Sequence, residues 1–181
     1  MNRTEAFALM ESKITNLNLR KHVLAVEAVM KRLARELHQD EEQWGLAGLL
    51  HDLDYEETKN TPDRHGLTTV ELLKDKNVPA EVLNAIKAHT DKKPRETLME
   101  KAIYCADPVT GFLVACALIR PAKKLADVDA EFAKNRMKEK RFAAGASREA
   151  MQSCRELNLD LDRFFLISLE AMNSISQELG L

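Results

Sequence analysis

Histidine followed directly by aspartate, as His51-Asp52, pairs the two side-chain types that best hold a transition-metal ion. A neutral imidazole offers one nitrogen lone pair and a carboxylate offers two oxygens. Three further histidines fall on apolar helical faces. His22 continues the line of Val26, Val29 and Leu33. His89 follows Val82, Ala85 and Ile86 at spacings of seven, four and three, and His51 follows Trp44, Ala47 and Gly48 at the same spacings. The small Ala47 and Gly48 leave room beside the imidazole. His65 shares a face with Thr69 and Leu72, and Asp107 stands four residues after Ile103. Burying so many ionisable groups is costly unless they are paired or bound to a cation. A divalent ion removes that cost, and this donor set suits Fe, Mn, Zn, Co or Ni better than calcium. Ligands from separate helices are the usual construction of metal sites inside helical bundles.

Taken singly, each residue has a plainer account. His22 or His89 alone reads as a hydrogen-bonded core histidine. Asp107 precedes Pro108 and can cap a helix that begins there. His65 lies near a helix start and can be exposed. His38, between Glu36 and Asp40 at a helix C-terminus, reads as a surface or dipole-compensating group. The joint pattern is harder to dismiss than its parts.

The elements that must position these groups read as helices almost throughout. Gly and Pro number only 6 and 5, and aromatics make up 5 %, a mix that favours helix over sheet. The fold class is therefore all-α, in one domain of 181 residues. Helices are expected over about 4–16 and 18–37, and then from a cap at Asp40 with Gln43 in the capping-box position. A loop covers 54–63, with Pro62 opening a helix over 64–74. Pro79 opens the next, which reaches His89. Thr97 and Glu100 form a second capping box, starting a helix toward Asp107. The apolar run 112–119 reads as a separate buried helix ended by Pro121, and it is too short to span a bilayer. A basic helical stretch to Gly145 and two more helices follow. The core is expected over about 18–110, with a C-terminal helical extension over 111–181.

The formal charge of −2 gives no basic field for a nucleic acid polymer or an anionic membrane surface. Three widely spaced cysteines and an N-terminus without a signal-peptide pattern fit a reduced, cytoplasmic setting.

The order His22, His51-Asp52, His65, His89, Asp107 resembles the HD-domain superfamily, over about residues 18–110. The segments Arg64-His65-Gly66, Glu71-Leu72-Leu73 and Ala85 to Thr90, with Ala106-Asp107 later, are similar to its two-metal branch, which includes the symmetrical diadenosine tetraphosphate hydrolases. The resemblance implies an HD-domain helical bundle and a metal-dependent phosphohydrolase acting on a phosphorylated small molecule such as a nucleotide. It implies His22, His51, Asp52 and Asp107 as ligands of a main ion. His65 and His89 would add a second ion, bridged by Asp52.

On that expectation Asp54, three residues after His51, orients it, acting with Asp52 in catalysis. Glu56 and Glu57 are either proton shuttles or solvated loop acids. Arg20 and Lys21 beside His22, and Lys138 and Lys140 in the basic stretch, are candidate phosphate clamps, though that stretch also reads as a solvated face. Two other functions stay open: a diiron oxygenase of the same superfamily, and a non-catalytic metal- or nucleotide-binding regulatory module. A homo-oligomer is compatible with either.

Overall fold

The computed structural model describes all residues, Met1–Leu181, as helices and turns with no strand. The helices are α1 (Arg3–Lys13), α2 (Leu17–Glu36), α3 (Glu41–Leu50), α4 (Tyr55–Thr58), α5 (Leu67–Leu73), α6 (Ala80–His89), α7 (Leu98–Leu118), α8 (Ala130–Met137), α9 (Arg148–Gln152), α10 (Leu161–Ser174) and α11 (Ser176–Leu179). Their starts follow side-chain chemistry. Asn2 forms a reciprocal box with Glu5, and Asn16 accepts the Asn18 and Leu19 N–H groups. The Thr97–Glu100 box forms as expected. The expected box at Asp40 forms only in half: the carboxylate accepts the Gln43 N–H, but the Gln43 amide turns to the Asp40 side chain.

The centre of the molecule is α7. It packs against α2, α3 and α6 on one side and α8, α9 and α10 on the other. The expected break at Asp107 is absent, because the helix runs through Pro108. Proline removes one backbone hydrogen bond and costs about 3 kcal/mol inside a helix. Burial of Ile103, Ala106, Val109, Phe112, Leu113 and Cys116 on both sides of it offsets that cost. The continuous 21-residue helix is long and apolar enough to cross a membrane by length and composition, unlike the shorter run expected from sequence. Here its length serves the core that the neighbouring helices share.

The helix expected over 64–74 is also broken differently. Pro62–Arg64 makes a single 3-10 turn, and α5 starts only after Gly66, whose φ is 78°. A residue with a β-carbon is strained at that angle and would also meet the Thr90 hydroxyl at 2.9 Å. The C-terminal helices form no separate layer. Arg163 and Arg32 bind Glu36, and Arg32 also binds Glu170, joining α10 to α2.

Contact between α2 and α3 is the most extensive in the fold. A β-carbon at Gly48 would lie 2.7 Å from the backbone nitrogen of Glu27. Gly48→Ala is therefore expected to lower stability by about 1–3 kcal/mol in urea denaturation, as overpacked cores do. An unchanged midpoint would show that the two helices do not meet there.

Candidate metal centre

Five elements bring six ligand-type side chains to one place. His22 sits near the start of α2, His51 and Asp52 at the end of α3, and His65 in the turn before α5. His89 is the last residue of α6, and Asp107 is midway along α7. The imidazole rings meet edge-on, with centroids 5.3 Å apart for His22–His51, 5.0 Å for His51–His89 and 5.1 Å for His65–His89.

Each ring is held through the same nitrogen. The Nδ1 of His51 lies 2.8 Å from the Gly48 carbonyl, and that of His89 lies 2.5 Å from the Ile86 carbonyl. The Nδ1 of His65 lies 2.8 Å from Asp54 Oδ1. The Thr110 hydroxyl donates to the Asp107 carbonyl, which leaves its oxygen to accept from His22 Nδ1 at 3.0 Å. A carbonyl or carboxylate can only accept, so each neutral ring carries its proton on Nδ1 and leaves Nε2 as a bare lone pair.

All four Nε2 atoms face Asp52, and they divide between its two oxygens. His22 and His51 lie 3.6 and 3.5 Å from Oδ2. His65 and His89 lie 3.3 and 3.6 Å from Oδ1. Asp107 Oδ1 closes the first half, 3.1 Å from His22 Nε2 and 3.9 Å from His51 Nε2. The Nε2 atoms of His51 and His89 are buried without a hydrogen-bond partner. Orphaned acceptors beside a buried carboxylate fit a divalent ion of the nitrogen- and oxygen-loving kind. Neither half contains sulfur.

Complete burial lowers the His51 pKa to about 4, so this ring is neutral and able to donate its lone pair. Burial also opposes the charge on Asp52, but His51 and the hydrogen bonds of His65 and His89 outweigh it and hold the carboxyl well below its usual range. Burial disfavours the charge on His22, yet Asp107 and Asp52 raise its pKa, and His65 is shifted in the same direction. Burial disfavours its charge, yet Asp52 and Asp54 together push it up to about 10. In the metal-free protein His65 thus supplies the cation that balances Asp52.

Asp54 does not orient His51, as its spacing suggested. It is fully buried and turns the other way, accepting from His65 Nδ1 and from the Gly66 and Thr69 N–H groups. It caps α5 and fixes His65 with one carboxylate, and it reaches the cluster only through that ring. His51 is oriented by its own helix instead.

The cluster opens into a cleft of about 580 Å³ lined by Asn18, Leu19, Tyr55, Lys59 and Gly145 beside the ligand-type residues. Of the expected clamps, Arg20 is spent on the carbonyls of Ile14 and Glu11. Lys21 lines a neighbouring pocket that shares His22. Lys138 is bonded to Asn135, and neither it nor Lys140 lines the cleft. Glu56 accepts the Thr15 and Asn16 N–H groups and so ties α4 to the α1–α2 turn. Glu57 is exposed and outside the cleft wall, and His38 lies away from the cluster in a left-handed turn. Sequence reasoning missed Lys59, Tyr55 and Thr110. Only Thr110 carried a signal, three residues after Asp107 on the same helix.

Asp54→Ala is expected to cost about 3–5 kcal/mol in chemical denaturation, since it strands a half-buried imidazole and two backbone donors. A loss below about 1 kcal/mol would show that water replaces the carboxylate.

The family model described as HD domain matches residues 19–141. The chain is similar to Ribonuclease Y of Nitratidesulfovibrio vulgaris, 25 % identical over 165 residues, which are 90 % of this chain and 32 % of that protein. It is similar to Ribonuclease Y of Lactobacillus acidophilus, 26 % identical over 166 residues, 90 % of this chain and 30 % of the other. Ribonuclease Y of Desulforudis audaxviator is 31 % identical over 138 residues, 73 % and 26 %. The chain thus spans about a third or less of the length of these relatives. Their name differs from the diadenosine tetraphosphate hydrolases that the sequence motifs resemble. No solved structure matches the chain. The matched region contains every residue of the histidine–aspartate cluster, and the chain belongs to the HD-domain family.

Proposed function

We propose that this protein is a metal-dependent phosphohydrolase that cleaves a phosphate ester or anhydride of a nucleotide or related small molecule. His22, His51, Asp107 and Asp52 Oδ2 would hold one divalent transition-metal ion, and His65, His89 and Asp52 Oδ1 a second. The observation that carries this reading is the division of four imidazole Nε2 atoms between the two oxygens of Asp52. When bound, such ions supply a water that ionises near neutral pH and polarise a phosphoryl oxygen.

The chain's own residues do the rest. Asp54, Thr110 and the carbonyls of Gly48 and Ile86 fix the ring orientations, so the ligands need little rearrangement. Asp52 stays ionised in the metal-free protein and is ready to accept cations. Lys59 places an ammonium group at the cleft mouth, where a phosphate oxygen can reach it. Tyr55, 46 % exposed and edge-on to His65, offers an aromatic face beside it.

A second reading, cleavage of an RNA phosphodiester, is favoured by the name of the relatives. The chemistry at phosphorus would be the same. The chain's charge of −2 and a cleft with one lysine favour a small substrate over a polymer.

Phosphate or mononucleotide release from nucleotides, dinucleoside polyphosphates, cyclic dinucleotides and short RNA, with Mn, Co, Ni or Fe added, tests these alternatives. Asp52→Ala is expected to abolish both metal retention and activity, and full activity in that variant would exclude the mechanism. His65→Ala should lower the metal content by one ion per chain in elemental analysis, and an unchanged content would leave a single four-ligand site. Oxygen uptake by the iron-loaded protein without phosphate release would favour the oxygenase. Thr110→Val, which keeps the shape but removes the acceptor for His22, should weaken metal affinity about 10- to 100-fold in chelator competition, while Thr110→Ser retains it.

A further inference from the structure

One residue of the cleft wall, Gly145, lies beyond the residues matched by the family model. Residues 138–147, between α8 and α9, form no helix, and one side chain bonds four of their carbonyls. Arg148 Nη1 donates to the carbonyls of Ala143 and Ala146 at 2.6 and 2.9 Å, and Nη2 to those of Glu139, at 3.2 Å, and Phe142. The same guanidinium lies over the Phe112 ring of α7 at 5.0 Å, and Phe142 meets that ring edge-on at 5.6 Å. Ala143 has a φ of 43°, an unfavourable angle for a residue with a β-carbon. The turn has its own bonds, from the Phe142 N–H to the Glu139 carbonyl and from the Ala146 N–H to the Ala143 carbonyl, and Arg148 adds four more that tie it to α9. Only a planar fork of several donors can serve so many carbonyls at once.

Fastened in this way, Gly145 lies in the cleft beside His22, Asp52, His65 and Asp107. The stretch from Ala143 to Ala146 faces Pro108, Gly111 and Ala115 of α7 across a cavity of about 410 Å³, which opens on His22 and Asp107. That volume falls in the range of small-molecule pockets. Apart from His22 and Asp107 its lining has no ionisable side chain, so nothing there would neutralise a second phosphate. A β-carbon at Gly111 would meet nothing within 4 Å, which leaves the floor of the slot flat and open.

We propose that Arg148 is a positioning residue that holds segment 139–146 against α7, and that the slot so formed takes the flat, uncharged part of the substrate, a nucleobase or similar ring, next to the reacting phosphate. The proposal rests on the phosphohydrolase reading above.

Calorimetry on the metal-loaded protein with adenosine 5′-phosphorothioate and inorganic thiophosphate tests it. The wild type should bind the adenosine compound about tenfold or more tightly than thiophosphate. Arg148→Gln should cut that advantage to about threefold or less and raise hydrogen exchange in 139–146 but not in α7. Gly111→Leu starts from a position whose β-carbon meets nothing within 4 Å and adds bulk to the slot, so it should give the same loss of preference even where Arg148→Gln does not fold. In both variants thiophosphate affinity and metal content should change by less than about threefold. Equal binding of the two compounds by the wild type, or a preference that survives Gly111→Leu, would overturn the slot. A preference that survives Arg148→Gln would overturn the positioning role. Failure of the wild type to bind thiophosphate at all would overturn the phosphate reading and this proposal together.

Discussion

A carboxylate placed in a protein interior must be compensated, and in this fold the one that most imidazoles face is Asp52. It is 5 % exposed, and four imidazoles from four different parts of the chain face its two oxygens. The cost of stripping water from such a group rises steeply with burial. The helices that supply the compensating groups are therefore constrained in register as well as position. Gly48 shows the constraint most directly. It lets α3 lie against the backbone of α2, so that His51 and His22 come within ring contact, and its own carbonyl orients His51.

The long helix α7 serves several ends within a few residues. Asp107 completes one half of the cluster, and Thr110 sets the tautomer of His22. Gly111 leaves space beside the cleft, and Phe112 anchors the wall opposite. These roles require one unbroken helix through Pro108. A break there would rotate Asp107 and Thr110 independently, and the pairing of His22 with both would be lost. The buried apolar sides of α7 hold the proline in place, so core packing and site geometry share one element.

Much of this was legible in the sequence. The helical class and the faces of His22, His51 and His89 follow from apolar periodicity, which survives because those faces pack against other helices. Pro108 misled for a physical reason: local propensity disfavours helix there, and only burial from distant segments overrides it. Asp54 misled in another way. Its spacing suited His51, but the Gly48 carbonyl had already satisfied that ring, and the unpaired donors at the start of α5 claimed the carboxylate. Lys59 and Tyr55 gave no sequence signal because their position at the cleft mouth depends on the irregular turn after α3. Arg148 could not be singled out either, since its partners are backbone carbonyls, which carry no sequence identity.

The two halves of the cluster are secured in unequal ways. His22, His51 and Asp107 ride on helices that form the core, so their relative positions are as rigid as the core itself. His65 hangs from a short irregular turn, tied down by the single carboxylate of Asp54, which also caps α5. Loosening α5 would withdraw one arm of the cluster and leave the other in place. On the proposed two-ion reading, the first binding position would endure as long as the domain is folded, and the second would follow the local order of the short turn and helix that carry His65.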